Sequence, residues 1–488
     1  MLLRELLEGV EIVKICADPD TQIDSVCYDS RRVCAGSAFV AARRIGADGH
    51  DFIDNAIEEG AEVIVSEKEL PSVPFVQVVD GNRALAVMSA NLYGNPARKM
   101  KLIGVTGTKG KTTTSFFIKS VIEKTTGKKV GLIGTIQNMI GNVTQASRNS
   151  TPEAVELHSL LRQMYDGGCE YVVMEVSSHS LAIDRVYGLE FEIAIFTNFS
   201  QDHLDYHKTM ESYLDSKMKL FAMCKLGIVN IDDEASEHVM SSGTCEFATY
   251  GIESNDADLQ AKNIRFLEDQ GCSFEALTYD SIERIYLSTP GIFTVYNALA
   301  AAICCLKLGI NLTDIASALR KTEPVRGRVE IIPTGTKYKV IVDYAHSPSS
   351  VESVITAVRS FTKGRIISLI GCGGNRDKTK RPIMALAATS GSEHVIFTTD
   401  NPRSEQPEDI IKDMIEGLDS SKASYEVIVD RRTAIHRALD LAREGDTVLI
   451  MGKGHETYQE INGERIHFDD REEILLYYVD TDGKKKLD

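Results

Sequence analysis

The chain has 488 residues, 43% of them apolar and 26% charged, an ordinary balance for a globular protein with room for about three domains. No run approaches the roughly 18 consecutive apolar residues of a membrane span, and the charged start Met1-Leu-Leu-Arg-Glu-Leu-Leu-Glu8 lacks a signal-peptide pattern, so a cytoplasmic protein is expected. A net charge of −17 argues against a nucleic-acid surface and leaves any anionic substrate to local clusters of Arg and Lys.

Residues 1–98 read as a small α/β unit ending in the turn-rich linker Tyr93-Gly-Asn-Pro96, just ahead of the basic Arg98-Lys-Met-Lys101. Residues 99–325 alternate apolar strands, at Leu102–Val105, Val130–Gly134, Tyr171–Val176 and Ile193–Thr197, with helices that begin near Thr112, after Thr151 and after Ser212. Thr151-Pro152 suits a helix start, with Thr151 as N-cap and Pro152 in the first turn. This alternation predicts an α/β fold with a mainly parallel, doubly wound sheet. From about 228 to 295 the runs are shorter, as at Ala261–Phe266 and Ser273–Leu277, and predict a β-rich side sheet. Pro324-Val-Arg-Gly-Arg328 is a second linker. Residues 326–488 then repeat strand-then-loop at Lys339–Val342, Arg365–Ile370, His394–Thr398 and Thr447–Met451, a Rossmann-like pattern closed by the solvated basic end Lys484-Lys-Lys486. The ten cysteines form no CxxC pair and read as reduced packing residues, with Cys304 and Cys305 in a helix core.

The loop Gly104-Val-Thr-Gly-Thr-Lys-Gly-Lys-Thr-Thr-Thr114 lies between an apolar strand and a helix, the order that a phosphate cradle needs. Gly107, Thr108, Lys109 and Gly110 let backbone N–H groups approach a polyphosphate at a helix N-terminus. Lys111 reaches the β and γ phosphates, Thr112 offers a hydroxyl to Mg²⁺, and Thr113 completes the binding stretch. The spacing is shorter than in the common P-loop, whose first glycine would fall at Val105.

Two further strand ends carry chemistry, as strand ends of doubly wound sheets do. Tyr171-Val-Val-Met-Glu-Val-Ser-Ser-His179 puts Glu175 at the end of an apolar strand, where a carboxylate is costly unless a metal or partner meets it. Thr197-Asn-Phe-Ser-Gln-Asp-His-Leu-Asp-Tyr-His207 gathers two Asp and two His in one short loop. A capped turn or a satisfied core histidine would suit either segment alone, and the neighbouring P-loop favours the metal reading.

With the stretch Tyr213-Leu-Asp-Ser-Lys-Met-Lys219, these motifs resemble the Mur ligase family, and the likeness runs over essentially the whole chain. It implies three domains: a uridine-nucleotide domain over 1–98, a central ATP-binding ligase domain over 99–325 and an amino-acid-binding domain over 326–488. It implies that Lys111, Lys217, Glu175 and His203 are catalytic, that Thr112, Glu175 and His203 ligate Mg²⁺, and that Lys217 becomes a further ligand if carbamylated. Asn297, Arg328, Asp343 and His346 match further nucleotide-binding positions. Ser30 and Arg31 match the uridine diphosphate site, although Tyr28-Asp-Ser-Arg31 also suits a capped turn. Ser150 and Thr151 match the muramoyl-substrate loop, Ser150 standing where many members have a second Thr, and Ser177 and Arg185 match further contacts of that substrate.

Asp400-Asn-Pro-Arg403 resembles the family's motif for adding meso-diaminopimelate: Arg403 is suited to clamp the distal carboxylate bidentately, which L-lysine lacks. Arg376, Asp400, Asn401, Gly452 and Glu456 match the rest of that pocket, with Glu456 facing the distal ammonium. The implied activity is an ATP-dependent ligation of meso-diaminopimelate to UDP-N-acetylmuramoyl-L-alanyl-D-glutamate through an acyl phosphate, in cytoplasmic peptidoglycan precursor synthesis, with the chain acting as a monomer. The alternatives are the same chemistry with L-lysine, a folylpolyglutamate synthetase, or a regulatory P-loop NTPase. The second normally lacks the uridine domain and the Asp400–Arg403 element.

Overall fold

A computed structural model describes residues 1–44, 46–267, 271–419 and 423–479; the basic end at 484–486 lies outside them. Unbroken β-branched and apolar runs, such as Leu102-Ile-Gly-Val105 and Val448-Leu-Ile-Met451, become central strands buried on both faces, as parallel sheets require. They belong to two compact units.

The first unit comprises Met1–Phe199, Thr209–Tyr250 and Ile303–Leu308. Its N-terminal sheet has the order Ile12–Cys16, Phe75–Val78, Val63–Ser66, Ser37–Val40, Ser25–Cys27, with only the edge strand Ile12–Cys16 antiparallel. Apolar clusters cover both faces, Leu3, Val40 and Leu85 on one and Phe39, Ile64 and Phe75 on the other. The second sheet runs, in order, Val130–Ile133, Tyr171–Glu175, Lys101–Thr106, Phe191–Phe196, Cys224–Asn230 and Glu246–Gly251, all parallel. An antiparallel hairpin, Gln137–Ile140 with Val143–Ala146, extends its edge. The four expected strands fall within two residues of those seen; the hairpin escaped the reading because its strands are polar and half exposed.

Parallel pairing puts the C-terminal ends of four strands on one edge. That edge carries the loop after Thr106, Thr135, Glu175 and Thr197. One local expectation fails. The helix is Ala154–Asp166, with Glu153 at its N-cap, so neither Thr151 nor Pro152 starts it. Thr151 instead turns its hydroxyl to the carbonyl of Glu175, 2.8 Å away, because a buried strand end competes for that hydroxyl. The N-terminal sheet and the phosphate-loop sheet are joined within the unit: Ala154 lies in the core beside Leu85, and Tyr28 Oη donates to Glu156 Oε1 at 2.9 Å.

The second unit comprises Ser200–Lys208, Gly251–Ala302 and the chain from Gly309 onward. Leu259–Phe266, Cys272–Leu277 and Ile282–Leu287 form the β-rich stretch as an antiparallel meander. A six-stranded sheet follows, in the order Glu330–Ile332, Lys339–Asp343, Thr447–Met451, Ile366–Ile370, His394–Phe397, Tyr425–Val427, parallel after the first pair. Strands meeting out of chain order create the crevice at which doubly wound sheets bind ligands. Asp343, the Gly371–Arg376 loop, Asp400 and Gly452 all leave this sheet at that edge. Cys304 and Cys305 are buried in helix Ile292–Lys307.

Candidate active site

The phosphate loop is sewn to the end of the neighbouring strand. Thr197 Oγ1 donates to Lys109 O at 2.6 Å, Lys109 N donates to Asn198 Oδ1 at 2.9 Å, and Thr108 N donates to Asn198 O at 2.8 Å. Gly107 is required at its place: its φ is 138°, and a Cβ there would stand 2.0 Å from Thr197 Oγ1. Helix Lys111–Thr126 follows Gly110 directly, so its N-terminal amides point into the loop. Lys111 Nζ lies across the loop, donating to the carbonyls of Gly107 and Thr108, both at 2.9 Å. Thr112 is buried and Thr113 half-buried.

Lys217 joins Lys111 at this loop. A lysine on a helix usually keeps its ammonium in water, yet only 1% of Lys217 is exposed. It donates to Gly107 O at 2.9 Å and sits 4.4 Å above the Tyr213 ring. Tyr213 Oη in turn lies 3.2 Å from Thr108 Oγ1. Helix Met210–Met218, capped by Thr209, carries both side chains inward.

Glu175 is buried at its strand end. Its two oxygens accept from Thr135 N and Thr135 Oγ1, each at 2.8 Å, and Thr135 Oγ1 also lies 2.6 Å from Ser150 Oγ. Each carboxylate oxygen therefore keeps lone pairs for a hard cation, and the oxygen donors Thr112 and Glu175 fit Mg²⁺. Among the described residues no group of three or more His, Cys, Asp or Glu is gathered as a metal site. Thr135 went unremarked in the sequence; only the pairing of strands Tyr171–Glu175 and Val130–Ile133 brings it there.

Beside Glu175, Ser177 N donates to Thr151 Oγ1 at 3.1 Å, and Ser177 Oγ accepts from Ser180 N to start helix Ser178–Ala182. Arg185 grips this segment, donating to both oxygens of Glu153 at 2.5 and 3.0 Å and to Thr151 O at 3.1 Å. Ser150, Thr151, Ser177 and Arg185 thus form one patch with Glu175. Ser30 and Arg31 lie on a short 3-10 turn capped by Asp29, so the capped turn is present. Arg31 forks onto Asp29 at 2.7 and 2.9 Å, yet its side chain stays 86% exposed, an open guanidinium for an anion.

The second unit holds the remaining candidates. His203 has a left-handed backbone, φ 54°, and lies beside Asp202. Burial raises the pKa of Asp202, but His203, His346 and Lys380 together bring it below the ordinary value, so the loop Ser200–Lys208 shares its field with His346. Asp343 accepts from Val329 N and Ala345 N, both at 2.7 Å, and so ties the linker after Arg328 to its own strand end. Arg328 stacks on Tyr344 with its guanidinium carbon 4.7 Å from the ring centre. His346 Nδ1 pairs with Tyr344 O at 2.8 Å, and burial, then Lys380, lower its pKa. Asn297 is buried in helix Ile292–Lys307.

Asp400, Asn401, Arg403, Gly452 and Glu456 do meet. Asn401 Nδ2 donates to Glu456 Oε2 at 2.7 Å, and a Cβ on Gly452, whose φ is 108°, would stand 2.6 Å from Asp400 Oδ2. Arg403, with φ 53°, donates from its guanidinium to Gly374 O at 2.7 Å, joining the Asp400–Arg403 turn to the Gly371–Arg376 loop. Arg376 is exposed. Burial and then the Asp400 carboxylate raise the pKa of Glu456, while Lys453 and Asn401 oppose the rise. Lys453, Tyr344 and the buried pair Arg431–Asp470 around these loops were missed by the sequence reading, because nothing in a sequence tells a buried Lys or Arg from a solvated one.

Three domain families match in chain order: the Mur ligase family catalytic domain over 22–93, the Mur ligase middle domain over 105–305, and the Mur ligase glutamate ligase domain over 327–454. UDP-N-acetylmuramoyl-L-alanyl-D-glutamate--2,6-diaminopimelate ligase 1 of Clostridium acetobutylicum is 45% identical over 477 residues, covering 97% of this chain and 98% of its own. The chain belongs to the Mur ligase family. The Clostridium botulinum ligase of the same name, without the number, is 46% identical to this Mur ligase, covering 93% of this chain and 94% of its own. A solved structure of a UDP-N-acetylmuramoyl-L-alanyl-D-glutamate--2,6-diaminopimelate ligase superposes on it with a TM-score of 0.69 at 31% identity, covering 98% of both chains. The three-domain Mur ligase architecture, with its P-loop sheet and Rossmann-like C-terminal sheet, is thereby that of this chain. Among the described residues no helix is long and apolar enough to cross a membrane.

Proposed function

We propose that this chain is an ATP-dependent, ADP-forming acid–amino-acid ligase that adds meso-2,6-diaminopimelate to UDP-N-acetylmuramoyl-L-alanyl-D-glutamate, as a monomer in the cytoplasm, for peptidoglycan precursor synthesis. The domains would divide at 98/99 and 325/326. The observation that carries the choice of amino acid is the Asp400–Arg403 turn, with Asn401 hydrogen-bonded to Glu456 at 2.7 Å, in a chain near 45% identical to ligases of that name.

The D-glutamyl carboxylate is a poor acyl donor until one of its oxygens carries phosphate. Amides of Gly107–Thr113 and the ammonium of Lys111 would neutralise the charge that spreads over the γ-phosphoryl group as it passes in line to that oxygen, leaving ADP and an acyl phosphate. Lys111 would exchange its bonds to the Gly107 and Thr108 carbonyls for phosphate oxygens. The free amine of diaminopimelate then attacks the acyl carbon, inorganic phosphate leaves, and the amine gives up its proton. Ser150, Thr151, Ser177 and Arg185 would hold the muramoyl dipeptide, Ser30 and Arg31 its diphosphate, and Asn297, Arg328, Asp343 and His346 the nucleoside of ATP. Arg403 and Arg376 would take the distal carboxylate and Glu456 the distal ammonium.

Thr112, Glu175 and a carbamylated Lys217 would hold Mg²⁺, and His203 is proposed as a ligand from its motif alone. Mg²⁺ would supply charge neutralisation at the transferring phosphate. The burial of Lys217 beside the loop supports the modification, in which the amine adds to CO₂, releases a proton and leaves a carboxylate-like group.

The test is phosphate release with ATP and the muramoyl dipeptide, comparing meso-diaminopimelate with L-lysine. Release that requires the dipeptide and prefers diaminopimelate is expected. A preference for lysine would overturn the assignment of Arg403, and release without either acceptor would return the chain to the NTPases.

A further inference from the structure

Lys453 sits in the turn Gly452-Lys-Gly-His-Glu456, and its side chain is 0% exposed. A buried ammonium is costly unless fully partnered, so its acceptors define its role. They are Asn401 Oδ1 at 3.2 Å, Glu456 Oε2 at 3.2 Å and the carbonyl of Tyr458. Two of the three belong to side chains assigned above to the amino-acid pocket. Asn401 is gripped further: its amide nitrogen donates to Glu456 Oε2 at 2.7 Å, and its oxygen accepts from Glu460 N at 3.0 Å. The orientation of the Asn401 amide thus follows from the ammonium on one side and the carboxylate on the other.

The charges around Glu456 explain why a cation is needed. Asp400 faces it with a second carboxylate, Tyr344 Oη lies 3.5 Å from Oε1, and Tyr458 and Arg431 also face it. Arg431 is committed elsewhere, forked onto Asp470 through Nε and Nη2, each at 2.7 Å. Arg328 lies against Tyr344; Arg403, Glu460 and Arg465 act on Tyr458; and His455 beside Lys453 is held neutral by burial, which leaves Asp400, Glu456 and Lys453, two negative charges and one positive, acting directly on one another. The remaining negative charge is matched by one ammonium from outside, the group a diamino acid brings beyond its reacting amine.

We propose that Lys453 is a positioning residue for the ligation: its buried ammonium holds Asn401 and Glu456 together and is the counter-charge that fits Glu456 to receive the distal ammonium of the incoming diamino acid. This rests on the reading that Glu456 lies in the diaminopimelate pocket. Without Lys453, Glu456 keeps its bond from Asn401 but loses the cation that opposes Asp400, so it gains a proton at higher pH, and a neutral Glu456 attracts no ammonium.

The experiment measures kcat and KM for all three substrates between pH 6 and 9 in the full chain and in Lys453→Met, Lys453→Arg and Glu456→Gln, with thermal unfolding of each. Lys453→Met should raise KM for diaminopimelate at least about tenfold at pH 7 and move the acid limb of its kcat/KM to higher pH, with KM for ATP within about twofold. Lys453→Arg, which keeps the charge, should leave that limb in place, and it carries the test alone if the Met variant does not fold. An unmoved limb in Lys453→Met, a shifted limb in Lys453→Arg, or parallel changes in every KM with a lowered Tm would overturn the proposal. If Glu456→Gln leaves KM for diaminopimelate unchanged, the pocket assignment itself fails; if it raises that KM while Lys453→Met does not, only the role of Lys453 fails.

Discussion

The phosphate loop and the proposed amino-acid pocket sit at matching strand ends of two largely parallel sheets, but they are built from different material. The loop is made of main chain: Thr197, Asn198, Lys111 and Lys217 all bond to its carbonyls or amides. The pocket is made of side chains that hold one another, with Asn401, Glu456 and Lys453 above the Arg431–Asp470 pair. Arg431 also donates to Thr399 O at 3.3 Å and Met451 O at 3.0 Å, so one guanidinium ties together the strand ends that lead into Asp400 and Gly452. Main-chain donors suit phosphate, which needs amides and a cation but no particular shape. Side-chain networks suit selectivity, because a missing partner leaves a buried polar group unpaired.

The comparison is tested most severely at Lys217. If the loop depends on a modified lysine, Lys217→Ala should cut turnover by about 10³-fold, roughly 4 kcal/mol in barrier, while its thermal midpoint stays within a few degrees of the parent. Parent-like turnover would return Lys217 to the packing residues. On the pocket side, Asp470→Ala strips the partner from a buried guanidinium and should cost about 3 kcal/mol of unfolding free energy in urea, because an uncompensated buried charge remains. A loss no larger than that of a surface pair would break the claim that charge networks hold the pocket.

His158, in the first unit, gives a contrast in pH. Among the described residues neither ring nitrogen has a hydrogen-bond partner, and burial lowers its pKa to about 4 from 6.5. The folded form therefore refuses a proton that the unfolded chain accepts, so stability falls as pH drops from 6.5 toward 4 and is unaffected above. Unfolding measured at pH 7 and pH 5 should show about 2 kcal/mol of acid destabilisation that His158→Leu lacks. Equal slopes in both proteins would show that the ring charges freely. The smallest effect is expected for Arg403→Lys, which keeps the charge but loses the fork and should lower the preference for diaminopimelate over L-lysine by about tenfold.

The phosphate loop could be read from the chain because its geometry is local: glycines, a lysine and a hydroxyl within a few residues of one strand and one helix. The parallel strands were equally legible, since burial on both faces demands unbroken apolar runs. The start of helix Ala154–Asp166 was not, because Thr151 answers to the carbonyl of Glu175, 24 residues away, rather than to its own helix. The edge hairpin at 137–146 also escaped, since half-exposed polar strands leave no periodic signal.

By itself, then, the sequence determined the fold class and the strand–loop–helix order of the phosphate cradle, which depend on residue type at short spacing, while its resemblance to the Mur ligases singled out Glu175, Lys217, His203 and Arg403 as candidates. Only the tertiary structure decided that Lys217 is buried against Gly107, that Thr135 braces Glu175, that Lys453 is buried between Asn401 and Glu456, and that Arg431 is buried on Asp470. The reason is that a charged side chain reads the same in a sequence whether water or a carboxylate surrounds it. Which of the two it meets is set by strands that pair across long stretches of chain.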